Sequence, residues 1–132
     1  MTMKTVKEIL TEARDTIVAS PHLLISGDLV EHNDENQLCF CSLGYIAMAT
    51  GECAIDFTKY GDPFLKLDGS PGLVNIYDWL NDLPAVKALA EVVGVNVDES
   101  YTEAVYDYND DHAGIRPEKV IEAFNDAIKA LD

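Results

Sequence analysis

Two segments, one near each end of the chain, repeat their apolar residues every three to four positions, and this period commits most of the sequence to helices packed on a shared core. Between Thr5 and Ala19, the residues Val6, Ile9, Leu10, Ala13 and Ile17 fall on one helical face. Thr5 and Glu8 have the spacing of a capping box, in which each side chain satisfies a backbone N–H that the first helical turn leaves open. The last segment starts with Pro117 in a first-turn position. It presents Val120, Ile121, Phe124, Ile128 and Leu131 on one side, with Glu122, Asn125, Asp126 and Lys129 on the other.

Amphipathic helices need partners, and the interior of the sequence supplies several. Leu43, Ile46, Ala47 and Thr50 suit one face of a short buried helix that opens after Cys41, with Ser42 as its cap and Gly51 as its stop. The small residues Gly44, Ala47 and Ala49 would let another element approach closely, which explains a helical glycine that costs about 1 kcal/mol relative to alanine. A helix is predicted over Leu73 to Leu80. Asn81 and Asp82 are expected to cap the next one, whose face is Val86, Leu89, Ala90 and Val93, with Pro84 in its first turn and Gly94 at its end. Tyr101, Ala104, Val105 and Tyr108 make a further short stripe.

Period-two alternation is brief wherever it occurs. Val95 to Val97 and Leu38 to Phe40 are each expected as a short strand, and the polar run Ser26 to Gln37 as a loop or a poor hairpin. Gly61, Pro63, Gly69, Pro71 and Gly72 punctuate Tyr60 to Gly72, which reads as a long ordered loop. The expected fold class is therefore mainly α: one compact acidic domain over residues 1–132, with five to six helices, long ordered loops and room for one short hairpin. At 132 residues and 48% apolar, such a chain can build a core without disulfides or metals.

Charge excludes more than any motif does. Nine Lys and Arg stand against 24 Asp and Glu, a formal net charge of −15 that repels phosphate backbones and anionic membranes, so direct nucleic-acid and membrane binding are not expected. Thr5 and Glu8 interrupt Met1 to Leu10 before an apolar run can form, so no signal peptide is expected, and Leu38 to Gly51 is too short and too polar to span a bilayer. Cys39, Cys41 and Cys53 make an odd set, which points to reduced thiols in a cytoplasm.

The string Cys41-Ser42-Leu43-Gly44-Tyr45-Ile46-Ala47, followed by Tyr108-Asn109-Asp110 and the helix over Glu118 to Ile128, resembles a family of small actinobacterial and phage proteins. This is the domain-of-unknown-function family numbered 6197. Its pattern has a Cys-x-x-Gly helix start, an aromatic-Asn-Asp turn and a final helix ending in Ala-Ile, here Val120 to Ile128. Tyr108 stands where the family prefers Trp, and Arg116 where a capping Thr is usual. The resemblance implies a bacterial or phage origin, and the family name itself confers no activity. The residues have plain structural readings as well: Cys41 as a small buried residue, Gly44 as a close-packing one, and Asn109-Asp110 as a turn bonding its own backbone.

Several constellations carry possible chemistry. Cys41 near a helix N-terminus, with His112 as base and Asp110 as its orienting carboxylate, has the ingredients of a thiol enzyme, although no hydrolase signature surrounds Cys41. Zinc would draw on Cys39, Cys41, Cys53, His22, His32 and His112, but the one-residue spacing of Cys39 and Cys41 is tighter than zinc pairs show. Asp107, Asn109, Asp111 and Glu118 fall at positions 1, 3, 5 and 12 of a calcium loop, with His112 where the turn glycine belongs. Trp79, Tyr77 and Leu80 could line a pocket or simply fill the core. Gly69-Ser70-Pro71-Gly72 lacks the Lys and Ser or Thr of a phosphate loop.

The strongest signal is acidic. Glu91, Asp98, Glu99, Glu103, Asp107, Asp110 and Asp111 succeed one another between Ala88 and Ile115 with no Lys or Arg among them, interleaved with Tyr101, Tyr106 and Tyr108. The expected function is a non-enzymatic protein-interaction module. It would use Glu99, Glu103, Asp107, Asp110, Asp111, Tyr101 and Tyr108 to bind a basic host or partner protein, the acidic face imitating phosphate. The alternatives are the Cys41 and His112 enzyme and a calcium-stabilised helix pair. No cofactor is expected.

Overall fold

The computed structural model describes residues 4–68 and 75–132. Its elements follow in order: α1 (Val6–Ala19), a 3-10 turn (Pro21–Leu23), β1 (Val30–His32), β2 (Leu38–Phe40), α2 (Ser42–Ala49), β3 (Cys53–Phe57), β4 (Pro63–Leu67), α3 (Ile76–Asn81), α4 (Pro84–Val93), α5 (Tyr101–His112) and α6 (Pro117–Ala130). The fold is mainly α, as the apolar period requires, with two small antiparallel hairpins, β1-β2 and β3-β4, set beside the helices.

The Thr5 and Glu8 capping box is present in both directions and starts α1, whose Leu10, Ala13 and Ile17 are buried. Helix α1 packs on α2, α4 and α6, while α5 packs on α2, α3, α4 and α6, so one core runs through the helical set. Phe124, Leu10, Ile17, Leu43, Ile46, Leu80 and Leu89 are its largest fully buried side chains. Full burial of each contributes roughly 1.5–3 kcal/mol. Pro84 and Pro117 each occupy the first turn of a helix, and Gly94 ends α4 at φ +98°.

Three expectations are corrected. Val95 to Val97 is not a strand: it lies between Gly94 and the turn before α5, without a pairing partner. The first part of the expected loop Tyr60 to Gly72 is instead a hairpin, in which Asp56 pairs with Phe64 and Ile55 with Leu65. Gly61, at φ +87°, supplies its turn, and Thr58 Oγ1 accepts from the Tyr60 and Asp62 N–H groups. Pro63 opens an edge strand, where its missing N–H does no harm. Gly69 to Val74, including the start of the helix expected from Leu73, lies outside the described residues; α3 begins at Ile76, capped by Asn75. Asn81 and Asp82 close α3 and leave α4 without a side-chain cap.

The polar run Ser26 to Gln37 does contain a hairpin. Asn33 Oδ1 accepts from the Glu35 and Gln37 N–H groups, and Asn36 takes a left-handed φ of 63° at its tip. Its second strand leads directly into α2, and here the glycine reading holds. A Cβ on Gly44 would lie 2.2 Å from the Leu29 carbonyl oxygen and 3.1 Å from Phe40 Cβ. That same carbonyl accepts from the Cys41 N–H at 3.3 Å, so it cannot move away without breaking the approach to α2. Gly44→Ala is expected to destabilise the protein by about 3 kcal/mol in denaturant melts. Gly114→Ala, in open space at ordinary φ, should stay within about 0.5 kcal/mol of wild type.

Candidate functional site

Helix α5 is the element on which the acidic residues are displayed. Ser100 caps it, its Oγ accepting from the Glu103 N–H and donating to Glu103 Oε1. A second cap is borrowed from α3: Asn81 Oδ1 accepts from the Thr102 N–H at 3.2 Å. The helix runs to His112, so the tract expected as a turn at Tyr108-Asn109-Asp110 is helical.

The reason lies in what Asn109 and Asp110 bond. Asn109 is 1% exposed, and its Oδ1 accepts from both the N–H and the Oγ of Ser42, at 2.9 and 2.5 Å. Its Nδ2 donates to the Ile25 carbonyl at 2.8 Å. The first residue of α2 is thus capped by α5; Ser42 is not the cap, since Cys41 holds that position without a side-chain bond. Asp110 accepts from the Gly27 N–H at 2.9 Å, and the Tyr106 hydroxyl donates to the Gly27 carbonyl at 2.6 Å. With their side chains engaged elsewhere, Asn109 and Asp110 do not compete for their own backbone, and the helix continues.

Glu99, Glu103, Asp107 and Asp111 follow one another at intervals of four, a single stripe along α5 that starts at the residue before its Ser100 cap. No ion pair reaches any of them, nor Asp28 or Asp110, among the described residues. The Asp107 carboxyl is raised from its ordinary value, first by desolvation, then by the closeness of the Glu99 carboxylate and the charges of Glu99 and Asp111. Glu31 is raised in the same sense, first by a hydrogen bond with Asp28, then by burial and the Asp28 charge.

At 100° per residue, Tyr101 and Tyr108 point away from this stripe. Both pack against the core. The Tyr108 hydroxyl donates to the Lys119 carbonyl in the first turn of α6, and its ring lies 4.4 Å from that of His112. Lys87 Nζ lies 5.9 Å from the Tyr101 ring centre. The tyrosines that do border the stripe are Tyr106 and Tyr77. Together with Thr102, Glu103 and Asp107 they line a cavity of about 200 Å³ between α3 and α5. Burial, followed by neighbours that include Asp28 and Asp110, raises both phenols. Of the residues α3 offered as a pocket, Leu80 is fully buried and Trp79 packs on the core, while Tyr77 is 41% exposed.

The thiol constellation is not assembled. Cys41 is 0% exposed, and burial pushes its thiol up to about 11, the direction opposite to an activated nucleophile. Asp110 and His112, two residues apart on one helix, point about 160° apart, so the carboxylate does not orient the imidazole. No hydrogen bond joins His112 to Cys41 or Asp110 among the described residues. The calcium spacing fails for the same reason: Asp107, Asn109 and Asp111 lie on a helix and not around a loop, and Asn109 is committed to Ser42 and Ile25. Among the described residues no three His, Cys, Asp or Glu side chains converge to hold a metal ion, so neither the zinc nor the calcium set forms. Glu118 instead occupies the first turn of α6, and Arg116 precedes that helix without a side-chain cap.

The pattern that defines the Family of unknown function (DUF6197) matches residues 1–130. The chain belongs to this family. No curated protein matches the chain, and no solved structure does. No helix among the described residues is long and apolar enough to cross a membrane.

Asn109→Ala, which leaves the Ser42 N–H and the Ile25 carbonyl unpaired in the interior, is expected to cost about 3–4 kcal/mol by chemical denaturation. Asn109→Asp keeps the acceptor for Ser42 and loses the donor to Ile25, so it should also be destabilised. Asp107→Asn should do the reverse. A raised carboxyl pKa in the folded state means stability present at low pH and lost as pH rises through that value, so removing the charge should raise the melting temperature slightly at pH 7. The difference should vanish as pH falls toward the ordinary aspartate value of about 3.9.

Proposed function

We propose that this family member is a non-catalytic interaction module that binds a basic partner protein through the exposed face of α5. The observation that carries the reading is the stripe Glu99, Glu103, Asp107 and Asp111, together with Asp110, left without an ion pair among the described residues. Like charges spaced by four on a helix repel, so the stripe costs stability at neutral pH. A basic surface placed against it would relieve that repulsion and gain long-range attraction during approach. The face has the sign of a phosphate backbone, which suits a partner that itself binds nucleic acid.

A cytoplasmic setting belongs to the same proposal, supported by three free cysteines that are all buried and reduced. Its bacterial or phage source rests on the motif likeness to small actinobacterial and phage proteins. Catalysis has no comparable support, because the one thiol at a helix start is sealed from solvent.

The immobilised protein is expected to retain a basic partner from host lysate at about 50 mM salt and to release it near 0.5 M, where the Debye length is only a few ångströms. A Glu103→Lys, Asp107→Lys variant should retain nothing at either salt. Retention that survives both high salt and charge reversal would overturn the proposal.

A further inference from the structure

Carboxylates alone define a potential and not a site; what gives this face a site is the cavity between α3 and α5. Its volume of about 200 Å³ is below the roughly 300–1,000 Å³ of small-molecule pockets, and suits one side chain better than a free metabolite. Among the described residues that line it, two are tyrosines and two are acids. Aromatic walls attract a cation through the ring quadrupole, and carboxylates at the rim accept its N–H groups. A metal ion is disfavoured by the donor geometry, since no three ligating groups converge among the described residues. An anion is disfavoured by Glu103 and Asp107.

We infer that the groove between Tyr77 and Tyr106 reads a single arginine on the partner, its guanidinium stacking on a tyrosine ring while Glu103 and Asp107 accept its hydrogens. This rests on the acidic-face reading and names what that face selects. Arginine fits better than lysine because its planar group is more weakly hydrated, stacks on aromatic rings and bonds a carboxylate through two N–H groups at once. The Tyr106 hydroxyl is held by the Gly27 carbonyl, so that wall is fixed before a partner arrives. Tyr77 makes no side-chain hydrogen bond among the described residues and is 41% exposed, so its ring is open to a guest.

Two short peptides of equal length and charge, one carrying arginines and one lysines between Gly and Ser, would be titrated into the protein by calorimetry at low salt. The arginine peptide should bind roughly five- to tenfold more tightly. Tyr77→Ala should reduce it to the affinity of the lysine peptide, whereas Tyr77→Phe, which keeps the ring, should preserve the preference. Equal affinity of the two peptides for wild type, or a preference that survives Tyr77→Ala, would overturn the pocket. If the Glu103→Lys, Asp107→Lys variant still weakens both peptides in that case, the acidic-face reading stands without it. If wild type binds neither peptide, or charge reversal weakens neither, both fall.

Discussion

The buried amide of Asn109 is the contact on which the arrangement of α5 depends. An uncharged side chain with one acceptor and one donor end meets two open backbone groups, the Ser42 N–H at the start of α2 and the Ile25 carbonyl in the segment before β1. Inside a core, an unpaired group of this kind costs about 1–3 kcal/mol, so the three segments are locked to one another by the penalty for separating them. The neighbouring bonds from Asp110 and Tyr106 to the two ends of Gly27 extend the same clamp by one turn of helix. No buried side-chain nitrogen or oxygen among the described residues lacks a partner, which is the condition under which a polar cluster rigidifies a core.

That clamp fixes the outward side of α5. With Asn109, Val105 and Thr102 turned inward, Glu103, Asp107 and Asp111 fall on the exposed side of the helix. Five of the nine Lys and Arg form ion pairs among the described residues, none of them with the stripe: Lys4 with Glu12, Lys7 with Asp132, Arg14 with Asp15, Lys66 with Asp56 and Lys119 with Glu122. These are surface pairs of small energy, yet their placement leaves the α5 stripe as an uncompensated field. The cavity beside it exists because short α3 sets Tyr77 opposite Tyr106. The site is thus a by-product of how α3 and α5 meet, and its chemistry follows from which residues are left over after the core is satisfied.

Legibility in the sequence followed the strength of each local signal. Helices α1 and α6 combine a clear apolar period with a cap or a first-turn proline, and both stand where the residues placed them. The β3-β4 hairpin was hidden because Cys53 to Phe57 is short and weakly alternating, and because Gly61 and Pro63 look like loop punctuation when they in fact serve a turn and an edge strand. Asn109-Asp110 reads as a turn by its own chemistry, since such side chains prefer nearby backbone. Only partners brought from more than sixty residues away along the chain convert it to helix. The acidic stripe was legible as a run of charge; which tyrosines lie beside it was not, because setting Tyr106 and Tyr77 next to it and Tyr101 and Tyr108 away from it needs the rotation of the helix and the position of α3.

By itself the sequence determined the helical class, the need for a small residue at position 44, the large negative net charge and its concentration between Ala88 and Ile115. Those are consequences of periodicity, side-chain size and net charge, which act locally or without regard to geometry. Tertiary structure decided that Cys41 is sealed, that Asp110 and His112 turn away from each other, that Asn109 is a clasp, and that two tyrosines from different helices share a cavity. Each of these depends on groups distant in sequence meeting at a fixed angle, and a bond or a pocket exists only where that angle and distance are met.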